Sequence, residues 1–532
     1  MSKSKGMVYL VGAGPGDAGL LTMRGAELLG RADVVVYDAL VNPDLLRLAP
    51  RSAEVIFGGK RSKDHAIPQD ELNRLLVTKA REGRTVVRLK GGDPYIFGRG
   101  GEEAEELARA KIPFEVVPGV SSFFAAPSYA GIPLTHREHC SGFTVITGHE
   151  DPAKDASAID WELVARLPGT KVVMMGTQRI RHFAESLVTH GMSPETPVAM
   201  VRWGTTGRQR SVEGTLASIA DVAERAKLSA PTVTVIGEVV RLRSKLNWFE
   251  RRPLFGRRIV VTRTRDQASE LSRRLAERGA EVLEIPTIRI VPPRNEKVLH
   301  EVLTGLNAYD WLVFTSPHGV SAFFARFFSR FQDLRDIGGV RLAAVGPATA
   351  AKLRELHLQV DLMPDEYLAV RIADALAEYE SLENLRILLL RAEKANAELP
   401  GLLEEKGAIV DDVACYRTET ETEDVSGAAA DLRENGADWV TFASSSAVEN
   451  FHARFDLIAL LEKFPRMKTA SIGPETSKAL RRLELAATVE AKLHSIDGLV
   501  AALERATRQD GASSTPPAGG RGGSRIQSPE GA

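Results

Sequence analysis

Short apolar runs, each ended by a glycine or an aspartate, recur along the first half of the chain. Five lie within the first 120 residues: "VYLVGAG", "ADVVVYD", "AEVIFGG", "TVVRLKGGD" and "FEVVPGV". Four more follow: "FTVITGH", "TKVVMMG", "TPVAMVRWGT" and "TVTVIGEVV". Stretches with helical periodicity separate these runs, which is typical of alternating strands and helices. The pattern predicts two α/β lobes, at about residues 1–137 and 138–245.

The second half of the chain repeats itself. "RIVVTRTRDQASELSRRLAERGAEV" starts at Arg258, and "RILLLRAEKANAELPGLLEEKGAIV" starts 128 residues later, at Arg386. "DWLVFTSPHGVSAFF" and "DWVTFASSSAVENF" keep that offset, and "AAVGPATAAKL" and "ASIGPETSKAL" nearly keep it. The matches predict a duplicated α/β unit, with repeats at 258–385 and 386–507 and parallel sheets covered by helices. A cleft between two such lobes favours small-ligand binding.

Two other segments divide the chain. The basic, proline-containing stretch "RLRSKLNWFERRPLFGRR" predicts a linker at 246–256, between a first half at 1–245 and a second half at 257–507. Residues 508–532 are rich in glycine, proline and serine. Such a composition buries too little apolar surface to offset ordering, so we expect a disordered tail.

The overall composition narrows the function class. The chain has 532 residues, a net charge of −1, and two distant cysteines without metal-ligand spacing. A charge so close to zero argues against a nucleic-acid or polybasic membrane binder. No apolar stretch has the length of a signal peptide or a membrane span. We therefore expect a cytoplasmic protein without a metal site.

The glycine-rich loop at residues 12–19 raises a specific alternative. Its Gly-Pro-Gly-Asp-Ala-Gly segment formally fits a dinucleotide fingerprint, which would make the chain an NAD(P)-dependent oxidoreductase fused to a two-lobed binding protein. However, Pro15 offers no N–H, and Asp17 would repel a phosphate. A ribose diol, an amino-acid carboxylate and a cationic centre suit these oxygen-rich loops better. Those are the features of S-adenosylmethionine.

Several motifs then carry a resemblance. "VYLVGAGPGDAGLLTMRGAELLGRADVVVYDALV", "VVRLKGGDPYIFGRGGEEAEEL", "VVPGVSSFFAAPSYAGIPLTHR", "TGH" and "MGT" agree in order and spacing with uroporphyrinogen-III C-methyltransferase, over residues 6–243. The resemblance implies a two-lobed tetrapyrrole-methylase fold, a homodimer and S-adenosylmethionine as methyl donor. It also implies methylation of uroporphyrinogen III at C2 and C7 to precorrin-2, a step that can lead to sirohaem or to cobalamin.

The resemblance also implies site residues. The family's proton acceptor corresponds to Asp38 and its proton donor to Lys60, which could instead only attract substrate carboxylates. Its cofactor contacts fall on Pro15, Gly91, Gly92, Asp93, Ile96, Ser121, Ser122, Met175 and Gly204. Ser121-Ser122 replaces the family's usual Thr-Ala. Candidate partners for the substrate carboxylates are Arg61, Arg99, His136 and Arg137.

The repeated half resembles uroporphyrinogen-III synthase over about residues 256–505, through "IVVTR", "FTSPHGV", "AVGPATAAKL", "VACYRT", "TFASSSAVENF" and "SIGPETSKAL". The resemblance implies two lobes joined by a pair of strands, with crossings near 284–293 and 413–421. It implies closure of hydroxymethylbilane with inversion of ring D. Free N–H groups at helix starts suit the substrate's carboxylates.

Residues of this second site are also implied. Tyr416 corresponds to the tyrosine that assists loss of water, although it could be an interlobe packing residue. The candidate substrate contacts are Thr476, Ser444, Ser445, Arg263 and Arg391. The two arginines could instead be structural ion-pair partners, and Thr476 an ordinary first-turn residue. We therefore expect a bifunctional enzyme; the alternative is a methyltransferase with a non-catalytic tetrapyrrole-binding module.

Overall fold

The computed structural model describes residues 6–50, 52–59, 67–148, 159–262, 265–366, 370–395, 397–424 and 426–513. Its strands form four five-stranded sheets, two in each half of the chain. Helices cover these sheets, so the α/β class expected from the alternating pattern is confirmed.

The first half contains ten strands and eight α-helices. The strands are β1 (Met7–Gly12), β2 (Val34–Tyr37), β3 (Glu54–Phe57), β4 (Thr85–Lys90), β5 (Phe114–Val117), β6 (Phe143–Thr147), β7 (Thr170–Met174), β8 (Pro197–Arg202), β9 (Arg210–Thr215) and β10 (Thr232–Ile236). The helices are α1 (Met23–Leu29), α2 (Gln69–Arg81), α3 (Gly100–Arg109), α4 (Ser122–Tyr129), α5 (Trp161–Arg166), α6 (Ile180–Thr189), α7 (Ile219–Arg225) and α8 (Arg243–Leu246). These counts refer to the described ranges.

The second half adds ten strands and eleven helices, counted over the same ranges. The strands are β11 (Arg258–Val261), β12 (Glu281–Glu284), β13 (Ile288–Val291), β14 (Trp311–Phe314), β15 (Arg341–Ala344), β16 (Arg386–Ala392), β17 (Ile409–Thr420), β18 (Trp439–Phe442), β19 (Lys468–Ser471) and β20 (Val489–Glu490). The helices are α9 (Arg265–Ala276), α10 (Glu296–Thr304), α11 (Pro317–Arg330), α12 (Pro347–Glu355), α13 (Arg371–Tyr379), α14 (Glu398–Glu405), α15 (Ala428–Asn435), α16 (Ser445–Phe455), α17 (Leu457–Lys463), α18 (Pro474–Arg482) and α19 (Ile496–Ser513).

The two sheets of the first half differ in strand direction. The first sheet, in the order β3-β2-β4-β1-β5, is parallel throughout, so its strand ends meet at one edge. The second sheet, β6-β7-β10-β8-β9, is mixed, and only β6 and β7 are parallel neighbours. Helix α4 packs on this second sheet, because Ala126 and Ala130 share a core with Val172, Val201 and Val235. The chain therefore crosses between sheets before α4, ahead of the predicted boundary near 138.

The lobes of the second half do not coincide with the sequence repeats. The third sheet, β12-β11-β18-β19-β20, combines the start of one repeat with the end of the other. The fourth sheet, β13-β17-β16-β14-β15, contains the remaining strands. Antiparallel pairing of β13 with β17 is the one departure from parallel order among the described strands of this half. The chain crosses between these sheets at 284–288, within the predicted stretch 284–293. It crosses back after β17 ends at Thr420, at the end of the predicted stretch 413–421.

Two predicted boundary segments have more structure than expected. In the linker, Phe249 and Leu254 are buried, and Phe249 packs against Tyr129 with ring centroids 4.8 Å apart. Helix α19 continues to Ser513, into the stretch 508–532 for which the sequence predicts disorder. Near this end Asp510 accepts a hydrogen bond of 2.7 Å from Lys468, which holds the last turns against β19. The rest of the predicted tail lies outside the described residues.

Candidate functional sites at the sheet edges

Three glycines bring the loops after β1, β4 and β5 into backbone contact. The glycine cluster, as we call it here, consists of Gly12, Gly92 and Gly119. Neither Gly12 nor Gly119 has room for a side chain. A Cβ on Gly119 would lie 2.2 Å from the Gly92 carbonyl oxygen, and one on Gly12 would lie 2.5 Å from Gly119 Cα. Asp93 also connects the loops after β4 and β5, because its Oδ2 accepts a hydrogen bond of 2.9 Å from the Gly119 amide.

Hydrogen bonds connect the loop after β1 to the neighbouring loops. Gly14 and Gly92 exchange backbone hydrogen bonds of 3.2 and 2.7 Å, which close the loop over β4. The Asp17 carboxylate accepts from the Gly19 amide and from the Tyr129 hydroxyl, each at 2.8 Å. Its own amide donates to Thr205 Oγ1 at 3.1 Å. The carboxylate and the amide of Asp17 are thus engaged in contacts within the protein, and the contacts with Tyr129 and Thr205 join the loop to the second lobe.

Open space remains beside Gly92. This residue has φ +70°, and a Cβ built on it would meet nothing closer than Ser121 Cα at 3.9 Å. The Ser121 hydroxyl and the Ser122 amide would both lie 4.0 Å from that Cβ. Since Ser122 begins α4, its N–H has no partner within the helix. Gly92, Ser121 and Ser122 therefore form a cradle that a ligand atom can enter, with hydrogen-bond donors on its wall.

Strained backbone concentrates around this cradle. Five of the eleven described non-glycine residues with positive φ lie in the loops after β4, β7 and β8: Phe97, Arg99, Met175, Trp203 and Thr205. Most of the others follow helix ends, where this conformation is common. Met175 is also half exposed, at 45%. Gly204 packs on α4, where a Cβ would lie 2.3 Å from Ala126 Cβ. Unfavourable backbone conformations that persist are typical of functional loops.

Next to these loops lies a cluster of four charged residues, Asp38, Arg88, Lys90 and Glu103, here called the charged cluster. Arg88 and Lys90 are on central strand β4, and both side chains are 3% exposed. Arg88 donates to Asp38 Oδ1 at 2.5 Å through Nη2 and to Glu103 Oε1 at 3.1 Å through Nε. Lys90 Nζ lies 2.8 Å from Glu103 Oε1 and 4.0 Å from Asp38 Oδ2. Asp38, 29% exposed, is the member that reaches solvent.

The electrostatics of the charged cluster are balanced. Two cations face two carboxylates, which is the condition for keeping charges away from water. Burial and the neighbouring Arg88 lower the pKa of Lys90, while Glu103 and Asp38 oppose that shift. Glu103 is fully buried, and its Oε2 has no hydrogen-bond partner among the described residues. The arrangement fixes the Asp38 carboxylate at the sheet edge as a candidate proton acceptor.

The fourth sheet carries a different set of groups at its edge. The set is here called the hydroxyl edge and consists of Ser316, His318 and Tyr416. Ser316 and His318 follow β14, and Tyr416 lies in β17. Tyr416 is 7% exposed, and its Oη lies 2.9 Å from Ser316 Oγ. The His318 ring packs edge-on against the Tyr416 ring, with centroids 5.9 Å apart. Burial raises the pKa of the Tyr416 phenol, while the Ser316 hydrogen bond acts in the opposite direction.

The third sheet presents helix starts at the corresponding edge. Ser444 is exposed and caps α16, since its Oγ accepts from the Ala447 amide at 3.2 Å. Ser445 Oγ donates to the Glu475 carbonyl at 2.9 Å, which joins α16 to α18. Thr476 lies in the first turn of α18 and is only 3% exposed. Of these three residues, Ser444 is the most accessible to a ligand.

Comparison with known proteins assigns both halves. Residues 7–220 match the family of tetrapyrrole (corrin/porphyrin) methylases, and residues 269–501 match uroporphyrinogen-III synthase HemD. The porphyrin biosynthesis protein HemD of Ruminiclostridium josui is 38% identical over 93% of this chain and 97% of its own length. This chain belongs to the family of fused uroporphyrinogen-III C-methyltransferases and uroporphyrinogen-III synthases. The resemblances predicted from its motifs are confirmed.

Two further relatives are uroporphyrinogen-III methyltransferases by name. The uroporphyrinogen-III C-methyltransferase of Bacillus subtilis strain 168 is 41% identical over 69% of this chain and 75% of its own length. The S-adenosyl-L-methionine-dependent uroporphyrinogen III methyltransferase of Methanosarcina barkeri is 54% identical over 46% of this chain and 95% of its own length. The charged cluster and the glycine cluster therefore lie in the methyltransferase half, and the hydroxyl edge lies in the synthase half.

The predicted site residues differ in whether the structure describes them and in what they contact. Lys60, Arg61 and Arg263 lie outside the described residues. Arg99 pairs with Glu102 at 2.6 Å on the surface. In the synthase half, buried Arg391 donates to both Asp412 oxygens, at 2.6 and 2.5 Å. This bidentate pair favours the structural ion-pair interpretation of Arg391.

The remaining predicted residues of the methyltransferase half are more accessible. His136 is half-buried and Arg137 is exposed, in the turn that follows α4. Ile96 is 39% exposed in the loop after Asp93. The loop that contains Pro15 reaches the second lobe, because a Cβ on the next residue, Gly16, would lie 2.6 Å from Thr206 Cγ2. Their roles as ligand contacts stay predictions.

Sequence reasoning missed Arg88, Lys90 and Glu103. One signal was available, since "TVVRLK" places two cations two residues apart in an otherwise apolar central strand. Alternate residues of a strand face the same side, so both cations require an anion on that face. Ser316 and His318 were also missed, although the repeat pairs Ser316 with the predicted Ser444.

Proposed function

We propose that the chain closes hydroxymethylbilane to uroporphyrinogen III with inversion of ring D and then methylates the product at C2 and C7, giving precorrin-2. S-adenosylmethionine is the methyl donor. The observation that carries this proposal is the charged cluster, in which the partly exposed Asp38 carboxylate is oriented by the buried Arg88 beside the glycine loops. The hydroxyl edge supports the cyclisation step.

The cradle at Gly92 fits the donor. A ligand there meets the Ser121 hydroxyl, the Ser122 amide and bare backbone, which suits an adenosyl group with an amino-acid carboxylate. When bound, the donor supplies an electrophilic methyl group. Holding two reactants in line provides much of the rate of such a transfer.

Asp38 has the role of proton acceptor. The attacked tetrapyrrole must lose a proton once its new C–C bond forms, and a positioned carboxylate accelerates that loss about 10²–10⁴-fold. Arg88 fixes the carboxylate through a 2.5 Å hydrogen bond, so that its other oxygen remains available. Lys60 stays the proposed proton donor. We further propose a homodimer, as in the family that the methyltransferase half resembles.

In the synthase half, Tyr416 assists loss of water from hydroxymethylbilane, and the backbone amides at helix starts bind the substrate's carboxylates. Ser444 is the best placed of the predicted side chains, because it is exposed at the start of α16. The protein must fold the open chain so that closure with inversion is faster than the spontaneous closure without it.

The deciding experiment supplies hydroxymethylbilane to the purified chain, with and without S-adenosylmethionine, and identifies the isomers. Without the donor we expect uroporphyrinogen III, and with it the doubly methylated product. Type I product alone would exclude the synthase activity, and binding of NAD(P) without affinity for S-adenosylmethionine would exclude the methylation.

Two variants separate the active sites. Asp38→Ala should impair methylation and leave cyclisation near normal. Tyr416→Phe should slow cyclisation and spare methylation of supplied uroporphyrinogen III. Equal loss of both activities in either variant would contradict the assigned roles.

A further inference from the structure

Tyr416 lies where strand β17 changes its partner. Ala392 of β16 pairs with Tyr416 in parallel register, and Val291 of β13 pairs with Arg417 in antiparallel register. The tyrosine is therefore the last residue of β17 that pairs with β16, and the residues after it pair with β13. Its ring is held by the sheet, by His318 and by the hydrogen bond to Ser316. A phenol so constrained has few orientations for its proton.

Ser316 has a second partner that restricts the direction of this hydrogen bond. It is the N-cap of α11, with φ −154° and ψ 154°, and its Oγ accepts from the Gly319 amide at 3.0 Å. A serine hydroxyl has one proton to donate. Because the positive end of α11 points at Oγ, donation by Ser316 to Tyr416 Oη is favoured over acceptance from it.

We propose that Ser316 is a positioning residue for Tyr416, donating its hydroxyl proton to Tyr416 Oη so that the phenol proton is directed at the leaving hydroxyl of hydroxymethylbilane. This inference rests on the cyclisation that we propose for the synthase half. A phenol that donated to Ser316 would have no proton left for the substrate, so the direction of this one bond decides whether the tyrosine is a donor.

The proton balance of this step closes. The C–O bond of the hydroxymethyl group breaks, and the phenol proton joins the leaving hydroxyl to form water. The phenolate keeps the hydrogen bond from Ser316 while the cationic azafulvene is attacked by the last ring. Attack by the substituted carbon of that ring gives a spiro intermediate, which then breaks the ring's bond to the preceding bridge carbon. The free carbon of the inverted ring bonds to that bridge carbon and releases one proton, which restores the phenol. No oxidant, reductant or metal is required.

The internal repeat provides a comparison within the chain. Ser444 lies 128 residues after Ser316 and caps α16 in the same way, through the Ala447 amide. Its hydroxyl contacts Ser446 Oγ at 3.1 Å, and the residue 128 positions before Tyr416 is Ile288. Capping is thus common to both repeats, whereas contact with a tyrosine is made by Ser316 of the first repeat, with Tyr416 of the second. Capping the helix therefore does not require the hydrogen bond between Ser316 and Tyr416.

The test is a double-mutant cycle on the full chain with Ser316→Ala, Tyr416→Phe and the combined variant. If Ser316 acts through Tyr416, Ser316→Ala lowers kcat of cyclisation about tenfold, the value of one good hydrogen bond, with KM within about twofold. The combined variant is then no slower than Tyr416→Phe alone. Ser316→Thr, which keeps the hydroxyl and the cap, restores the rate.

Two controls keep the result interpretable. Asn295→Ala removes another N-cap of the same lobe, a bond of 3.2 Å from the Lys297 amide, and should leave kcat unchanged. Circular dichroism and thermal unfolding report that each variant is folded, and methylation of supplied uroporphyrinogen III reports that the methyltransferase half is intact. Multiplicative losses in the combined variant, a change confined to KM, or wild-type activity of Ser316→Ala would overturn the inference. Type I product from the wild-type chain would instead reject the proposed cyclisation.

Discussion

The charged cluster and the hydroxyl edge occupy corresponding places, the carboxyl edge of a sheet, but they are built from different groups. In the methyltransferase half, Arg88 and Lys90 are buried beside Glu103, and the cluster depends on full pairing. In the synthase half, neutral hydroxyls and helix amides occupy the edge. Buried charges cost several kcal/mol of desolvation each, whereas a satisfied hydroxyl costs little.

The difference follows the chemistry proposed for each half. Removing a proton from a carbon centre requires an anionic acceptor in a fixed position, and a buried counter-ion provides that position. Loss of water from an already reactive open-chain tetrapyrrole requires only a donor. Hydroxyls also leave the edge without fixed negative charge, which suits a substrate that carries eight carboxylates.

The largest expected effect comes from breaking the charged cluster. Glu103→Gln leaves two buried cations with one partner, and should lower the free energy of unfolding by about 3–5 kcal/mol. The comparable change at the hydroxyl edge, Ser316→Ala, should cost about 0.5–2 kcal/mol, the value of an N-cap. Both stability losses can be measured by thermal unfolding, with the methylation and cyclisation activities as the signals for the two halves. Equal losses would show that the two edges do not differ in how they are stabilised.

Filling the cradle should have the next largest effect. Gly92→Ala places a methyl group in the ligand space and forces a side chain into φ +70°, which costs about 1–2 kcal/mol in addition. We expect at least about tenfold weaker binding of S-adenosylhomocysteine by titration calorimetry, with cyclisation unchanged. Gly101→Ala in α3 is the control, because a Cβ there meets nothing within 4 Å. Equal affinities in the two variants would remove the cradle from the site.

The pH dependence of cyclisation tests the hydroxyl edge. Burial raises the pKa of Tyr416 above its ordinary value of 10.0, so more than half of the phenol remains protonated at pH 10.0. The proton donor is therefore retained to a higher pH than in a free tyrosine. The ratio of wild-type to Tyr416→Phe rates should therefore begin to fall at a higher pH than a phenol of pKa 10.0 would give. A ratio that falls from pH 9 would contradict a buried, protonated tyrosine.

The smallest effect concerns the two cysteines. Burial raises the pKa of the Cys415 thiol to about 12, and the residue is 2% exposed next to Tyr416. Cys140 of the methyltransferase half is partly exposed. Because the thiolate is the reactive form, iodoacetamide at pH 8 should modify Cys140 first. Mass spectrometry of the tryptic peptides measures both rates, and equal labelling would indicate that the hydroxyl edge opens in solution.

Much of the fold could be predicted from local pattern, because short apolar runs indicate buried strands and the spacing of apolar residues indicates helices. The internal repeat of the second half could also be predicted from the sequence. Its distribution over two sheets could not, since strand pairing between β11 and β18 joins residues about 180 positions apart. The packing of α4 on the second sheet likewise depends on contacts with β7, β8 and β10.

The site was predictable to a lesser degree. Asp38 and Tyr416 follow from family resemblance, since each alone is an ordinary residue at a strand end or in a strand. The partners that orient them were not predicted. Arg88 is 50 residues from Asp38, and Ser316 is 100 residues from Tyr416, so only the sheet order brings each pair together.

The division of both repeats between two sheets has a consequence for synthesis. Strand β11 leaves the ribosome early, but its neighbour β18 follows only at Trp439–Phe442. Until then one side of β11 has unpaired backbone groups, which are a template for wrong association. Domains generally form as units during translation, the N-terminal ones first. The fourth sheet can therefore assemble first, and completion of the third sheet is then the last event in the maturation of the nascent protein.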